Sequence, residues 1–169
     1  MFIVLDWFRE KKHLSLNKKN MIPRFNMGKV QPAAYKAMDP LDNFVSGSAL
    51  RRPDRELIRI RASQINGCAY CVHQHTQDAL KLGVPVQKVN LICVWREAHN
   101  VFNEDERLLL EMTEEITLIH QHGLSERLYD QSMAAFGEVK TAQIIMAIIA
   151  INAWNRIGIG LKMKPEVTL

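Results

Sequence analysis

The stretch from about Val139 to Leu161 constrains the fold more than any other part of the chain. Ile144, Ile145, Ile148, Ile149 and Ile151 fall around most of the circumference of one helix. A helix that is apolar on nearly all sides is expected to be buried by its neighbours. The neighbours also read as helices. Pro32 suits a first helical turn, and Tyr35, Met38, Leu41, Phe44 and Val45 recur at threes and fours up to Ser46-Gly47-Ser48. A second helix is expected from about Pro53, carrying Glu56, Leu57, Ile60 and Ile65, to Gly67. A third runs from about Cys68 to Leu82 and stops at Gly83. A fourth covers Val86 to roughly His99. Asn103 followed by Glu106 has the spacing of a capping box and opens a helix through Leu109, Met112, Ile116 and Ile119 to Gly123. Ser125 caps a short helix with Leu128, Met133 and Phe136. No alternating strand pattern bounded by hairpin turns occurs. The expected fold is all-α, a bundle of about six to seven helices.

With 169 residues, 47% of them hydrophobic, the chain can bury one full core. Residues 1–30 hold seven Lys/Arg against two Asp/Glu, whereas the remaining residues hold fifteen against sixteen. The basic excess therefore belongs to an N-terminal arm, and the body offers no nucleic-acid footprint. Residues 1–26 are read as a basic extension and 27–169 as the domain. Met21 and Met27 are plausible alternative starts, and Trp7 and Phe8 would give the arm an amphipathic face if it were helical. Met1 to Leu5 is apolar, but Asp6 ends the run too soon for a secretory signal. The purely apolar run Ile144 to Ile151 is far below the roughly 18 residues of a membrane span. Three cysteines cannot all pair within one chain, which argues against a secreted disulfide framework and for a reducing compartment. A cytoplasmic protein without membrane or nucleic-acid partners is expected, with Cys93 read as a buried, inert thiol.

Chemistry concentrates in Cys68-Ala-Tyr-Cys71-Val-His-Gln-His75. Residues three and four apart share a helical face, so Cys68, Cys71 and His75 line up along one. The two thiols can close a disulfide with little backbone movement. Asn66-Gly67 breaks the preceding helix and leaves Cys68 near an N-terminus, where unpaired backbone N–H groups favour a thiolate. His75, one turn beyond Cys71, is placed to take or return a thiol proton, and imidazole has an intrinsic pKa near 6.5. The segment reads as a redox dithiol with its own base. A thioredoxin-like CxxC follows a β-strand; here a helix precedes it.

Glu56 stands twelve positions before Cys68, and His75 four after Cys71. That frame, the run Arg61-Ala-Ser-Gln-Ile-Asn-Gly-Cys-Ala-Tyr-Cys71, the segment Trp95-Arg96-Glu97-Ala98, the region from Glu106-Arg107 to Thr113-Glu114, and Ile151-Asn-Ala-Trp-Asn-Arg156 resemble the AhpD-like alkylhydroperoxidase branch of the carboxymuconolactone decarboxylase superfamily. The resemblance covers about Met27 to Lys162. It implies an all-helical subunit that forms homo-oligomers, with a hexamer built as a trimer of dimers favoured over a dimer or trimer. It also implies dithiol peroxidase chemistry that needs no flavin, haem or metal. By position, Cys71 resembles the peroxidatic cysteine and Cys68 its resolving partner. His75 resembles the base, linked to Glu56 in a proton relay, and Tyr70 the variable residue that shapes the site. The implied partners are a peroxide and an external dithiol reductant, protein or small molecule. The lactone decarboxylases of the superfamily generally lack this CxxC, which counts against decarboxylation.

Blander readings exist for each residue: Glu56 as a surface acid paired with Arg59, His75 as a structural hydrogen-bonder, Tyr70 as core filler. His73 lies about 140° around the helix from Cys68 and is left out of the relay. Trp95, Trp154 and Asn155 are assigned to packing and interfaces. The rival functions are a thiol–disulfide oxidoreductase or redox sensor, half a zinc site completed elsewhere, and an assembly protein without enzymatic activity.

Overall fold

The computed structural model describes residues 24–167. All regular structure among them is helical: α1 Met27–Val30, α2 Pro32–Gly47, α3 Arg52–Asn66, α4 Ala69–Lys81, α5 Val86–Leu91, a 3-10 turn Ile92–Val94, α6 Glu104–Thr117, α7 Ile119–His122 and α8 Glu126–Gly160. The expected all-α architecture is observed, with α1 and α7 as additional single turns. Most of the basic extension lies outside the described residues. Of its last part, Arg24 bonds the carbonyl of Leu161 through its backbone and that of Gly160 through its guanidinium, and Asn26 caps α1.

Local chemistry explains the boundaries. Gly67 adopts φ +74°, a left-handed conformation that only glycine takes without strain, and closes α3. Asn103 and Glu106 form the expected capping box, each side chain accepting the other's backbone N–H. The two helices read after Ser125 are one run bent at Gly137, whose φ of +70° is non-helical.

The structure corrects the reading of α8 as the surrounded helix; that place belongs to α3. Ile58 and Ala62 pack into one apolar cluster with Leu109, Met112, Ile144 and Ile148. Leu57 and Ile60 pack into a second with Val89, Ile92, Trp95 and Phe102. Each fully buried Leu or Ile contributes about 1.5–3 kcal/mol, and α3 supplies them to both sides. Its buried polar groups are all engaged. Asp54 takes two bonds from Arg51, and Arg55 donates to the carbonyls of Val45 and Ser46 at the end of α2. Burial, with repulsion from Arg59, holds the Arg55 guanidinium below its ordinary pKa. The interior of α3 was disguised in the sequence because its polar residues are buried and paired. In contrast, α8, which packs against α2, α3, α4 and α6, leaves Val139 73%, Ile149 44% and Ile159 43% exposed. Although α8 is long and apolar enough to cross a bilayer by composition, its buried residues are part of the helical core.

A second correction concerns Cys93, which is exposed. The α5 helix ends at Leu91 and the chain tightens into the 3-10 turn, which turns Ile92 and Trp95 inward and Cys93 and Val94 outward. Trp95 is buried and donates its indole N–H to Glu114 at 2.7 Å, and Arg61 and Arg96 pair with the same carboxylate. Burial alone would raise the Glu114 pKa. The bonds from Trp95, Arg96 and Arg61 outweigh it and hold the carboxyl below its usual range. That hub anchors the Trp95 segment to α3 and α6.

Candidate active site

The site forms where α3 ends and α4 begins. After the Gly67 turn, the Cys68 N–H bonds back to Ser63 O at 2.9 Å. Cys68 caps α4, its Sγ accepting from the Cys71 N–H at 3.3 Å. Cys68 and Cys71 are joined as a disulfide across a Cα separation of 5.3 Å, within the range such a bond requires. The sulfurs are well covered: Cys68 is 2% and Cys71 5% exposed.

One helical turn on, His75 Nδ1 lies 2.9 Å from Glu56 Oε2. Glu56 is buried, and its other oxygen accepts from Arg59 Nη1 at 2.7 Å. The blander reading of Glu56 has the pairing with Arg59 right but not the surface position: Glu56 is 5% exposed, and its carboxylate serves both residues. With Nδ1–H donating to the carboxylate, the imidazole carries its lone pair on Nε2, the tautomer a general base needs. Asp78 approaches the same pair. Burial would raise its pKa, but hydrogen bonds from Gln74 and Lys81 hold it down. Glu56, His75 and Asp78 bring potential ligand atoms within 4.8 Å of one another. Arg59 already occupies one carboxylate, and Gln74 and Lys81 the other. In the disulfide state neither cysteine carries the thiolate that would make half a zinc site.

Cys71, His75, Tyr70 and Arg59 line one cavity of about 440 Å³, with α2 contributing Tyr35, Asp42 and Ser46 and α8 contributing Ile151, Trp154 and Gly158. The sequence reading placed Trp154 in packing. It is that and also a pocket wall: its ring meets Tyr35 edge-on at 5.4 Å, and its N–H donates to Asp42. Tyr35, Asp42 and Arg59 were not singled out as pocket residues. Only Arg59, at helical spacing from Glu56, gave any local signal of its place. Asn155 is buried away from the cavity. Asn66 donates to Asn152 and Asn155, Asn155 to Ser63, and Asn152 to Thr117, so these three amides are satisfied and α8 is tied to the turn before Cys68. His73 is not among the cavity residues.

A helical subunit with a CxxC pair capping one helix, a Glu–His pair behind it and a pocket onto the second sulfur defines an AhpD-like protein. The chain belongs to the carboxymuconolactone decarboxylase family, which matches residues 32–114. The uncharacterized protein YdfG of Bacillus subtilis is 34% identical over 141 residues, which span 83% of this chain and 95% of YdfG. Among solved structures, a protein of unknown function from Agrobacterium tumefaciens, named as a candidate antioxidant defence protein AhpD, superposes with TM-score 0.83 and 38% identity over 86% of this chain and 99% of that one. The debrominase Bmp8, in complex with 2,3,4-tribromopyrrole, shares the fold at TM-score 0.75 and 20% identity, over 83% of this chain and 74% of its own. A fold that serves more than one chemistry leaves function to be argued from the site.

Proposed function

We propose that the protein is a cysteine-based peroxidase that reduces organic hydroperoxides or hydrogen peroxide through a Cys68/Cys71 dithiol–disulfide cycle. The observation that carries this reading is the shared cavity wall of Cys71 and His75, with Glu56 holding His75 Nδ1 from behind. In the reduced state His75 Nε2 takes the Cys71 proton. The thiolate attacks a peroxide oxygen and the O–O bond breaks. Sulfur is oxidised to the sulfenic acid, and the departing alkoxide recovers the proton from the imidazolium as alcohol. The Cys68 sulfur then attacks the Cys71 sulfenic sulfur and releases water, and the disulfide forms. An external dithiol returns two electrons. Near-complete burial of both sulfurs favours a small reductant entering by the cavity over a protein disulfide docking on the surface, and so counts against the oxidoreductase rival. Arg59 and Tyr70 complete the pocket around the reacting sulfur. Mass spectrometry after one equivalent of cumene hydroperoxide, without reductant, should show reduced protein losing two hydrogens, with Cys68 and Cys71 linked. Persistent free thiols would sink the proposal.

The exposed apolar side chains of Val139, Ile149 and Ile159 on α8 support assembly into a homo-oligomer, the hexamer being the favoured state. Apolar patches beyond a few hundred Å² usually mark an interface, and closed symmetry is the default way to cover one. Light scattering should give a multiple of the subunit mass both for the full chain and for a chain starting at Met27. Monomers in both would contradict it.

A further inference from the structure

From the approach of α8 to the cysteines, we infer that Gly158 is the positioning residue that lets Cys68 close onto Cys71, by leaving the Cys68 sulfur the space it occupies in the disulfide. A Cβ built on Gly158 would stand 3.1 Å from Cys68 Sγ and 3.5 Å from Cys71 Sγ. The first distance is tighter than ordinary packing, and the second is ordinary contact. The crowded atom is no flexible chain end. While the S–S bond exists, Cys68 Sγ is tethered to Cys71 and cannot swing aside, whereas a free Cys68 thiol can rotate about its Cα–Cβ bond. A methyl group at 158 therefore opposes the disulfide more than the dithiol. It reaches Cys68, the sulfur outside the cavity lining, before it reaches Cys71, which lines the cavity.

The surroundings hold the clearance in place. Asn155 and Asn152, about one and two turns before Gly158 on α8, are bonded to Asn66 and Ser63 beside the Cys68 turn. The Gly158 carbonyl accepts from Met163 N–H at 2.9 Å. This end of α8 cannot retreat cheaply. Glycine is a poor helix former and alanine the best, so a glycine inside α8 gains the helix nothing. What it supplies is a surface flush with the backbone.

The inference rests on the peroxidase reading only for which sulfur is oxidised first; the preference of the pair for the disulfide does not depend on it. Gly158→Ala is compared with Gly160→Ala, two residues along the same helix, where a Cβ would meet nothing within 4 Å. Two readouts are taken. In glutathione redox buffers, Gly158→Ala should lower the equilibrium constant for forming the Cys68–Cys71 disulfide by about five- to hundredfold, the range that overpacking by one methyl implies. Gly160→Ala should leave it unchanged. After one equivalent of cumene hydroperoxide, Gly158→Ala should form the Cys71 sulfenic acid but close the disulfide more slowly. Dimedone labelling, and sulfinic acid under excess peroxide, should then rise over wild type. Circular dichroism on both variants checks that α8 is retained. If Gly158→Ala loses helix, the same variant measured at a lower temperature, where its circular dichroism matches wild type, provides the comparison. Equal disulfide equilibria in Gly158→Ala, Gly160→Ala and wild type would overturn the inference. A wild-type protein inert to peroxide would instead overturn the peroxidase reading and leave the glutathione equilibrium to judge Gly158.

Discussion

Cys71→Ser is expected to abolish peroxide consumption entirely, and Cys68→Ser to permit one turnover and no more. The asymmetry follows from where the two sulfurs sit. Cys71 belongs to the cavity wall, beside His75 and Tyr70, and a peroxide in the cavity meets it first. Cys68 caps α4 beneath it, under Gly158, and takes the Cys71 N–H as its hydrogen-bond donor. A serine hydroxyl is protonated at any physiological pH and is a far weaker nucleophile than a thiolate, so nothing replaces Cys71. Serine at 68 leaves the first step intact and removes only the group that condenses with the sulfenic acid. The oxidised Cys71 should then persist long enough for dimedone to label it. Stoichiometric oxidation without added reductant, followed by mass spectrometry of the labelled protein, reads both outcomes: no peroxide consumed by Cys71→Ser, and one per subunit with a labelled Cys71 in Cys68→Ser. If dimedone labels Cys68 in a Cys71→Ser protein, the two roles are reversed.

How much of this was legible in the sequence varied with the distance over which each feature is encoded. Features written in adjacent residues were readable. The Gly67 stop, the Asn103–Glu106 capping box and the single helical face holding Cys68, Cys71 and His75 all depend on a few positions and on backbone sterics. The partnership of Glu56 with His75 crosses a turn and came from the family resemblance; the structure gives it a distance of 2.9 Å. Features requiring three elements to converge were not readable. Tyr35 and Asp42 on α2 carry no local sign that α8 will bring Trp154 against them, and only packing makes the three a cavity wall.

Two errors share one cause, the equation of apolar with buried. In α8, Ile149 and Ile159 are apolar and exposed, and Cys93 is turned outward where the helical period fails at Leu91. In α3, Asp54, Arg55 and Glu56 are charged and buried, each compensated by a partner close in sequence or in space. Periodicity reports which face is apolar. Which face is covered depends on how many neighbours the chain, or its copies, can supply.

The charged interior of α3 also determines what a change at His75 should do. His75→Gln keeps a side chain that can still donate to Glu56 but removes the basic nitrogen. Peroxide reduction near neutral pH should fall by about 10²–10⁴-fold, the usual contribution of a general base. The loss should shrink as pH rises, because hydroxide then generates the Cys71 thiolate without help. Glu56→Gln should fall between wild type and His75→Gln. The amide preserves the shape, yet it no longer stabilises an imidazolium and leaves Arg59 without its anionic partner. The combined variant tests whether the two residues act as a unit: if Glu56 works only through His75, the double substitution should be no slower than His75→Gln alone, since members of one relay are non-additive. Pre-steady-state oxidation of the reduced protein across pH 6 to pH 10, followed by thiol loss, measures all four proteins on one scale. Parallel pH profiles for wild type and His75→Gln would confine His75 to holding Glu56 and the start of α4 in place, and the proton would have to leave Cys71 by another route.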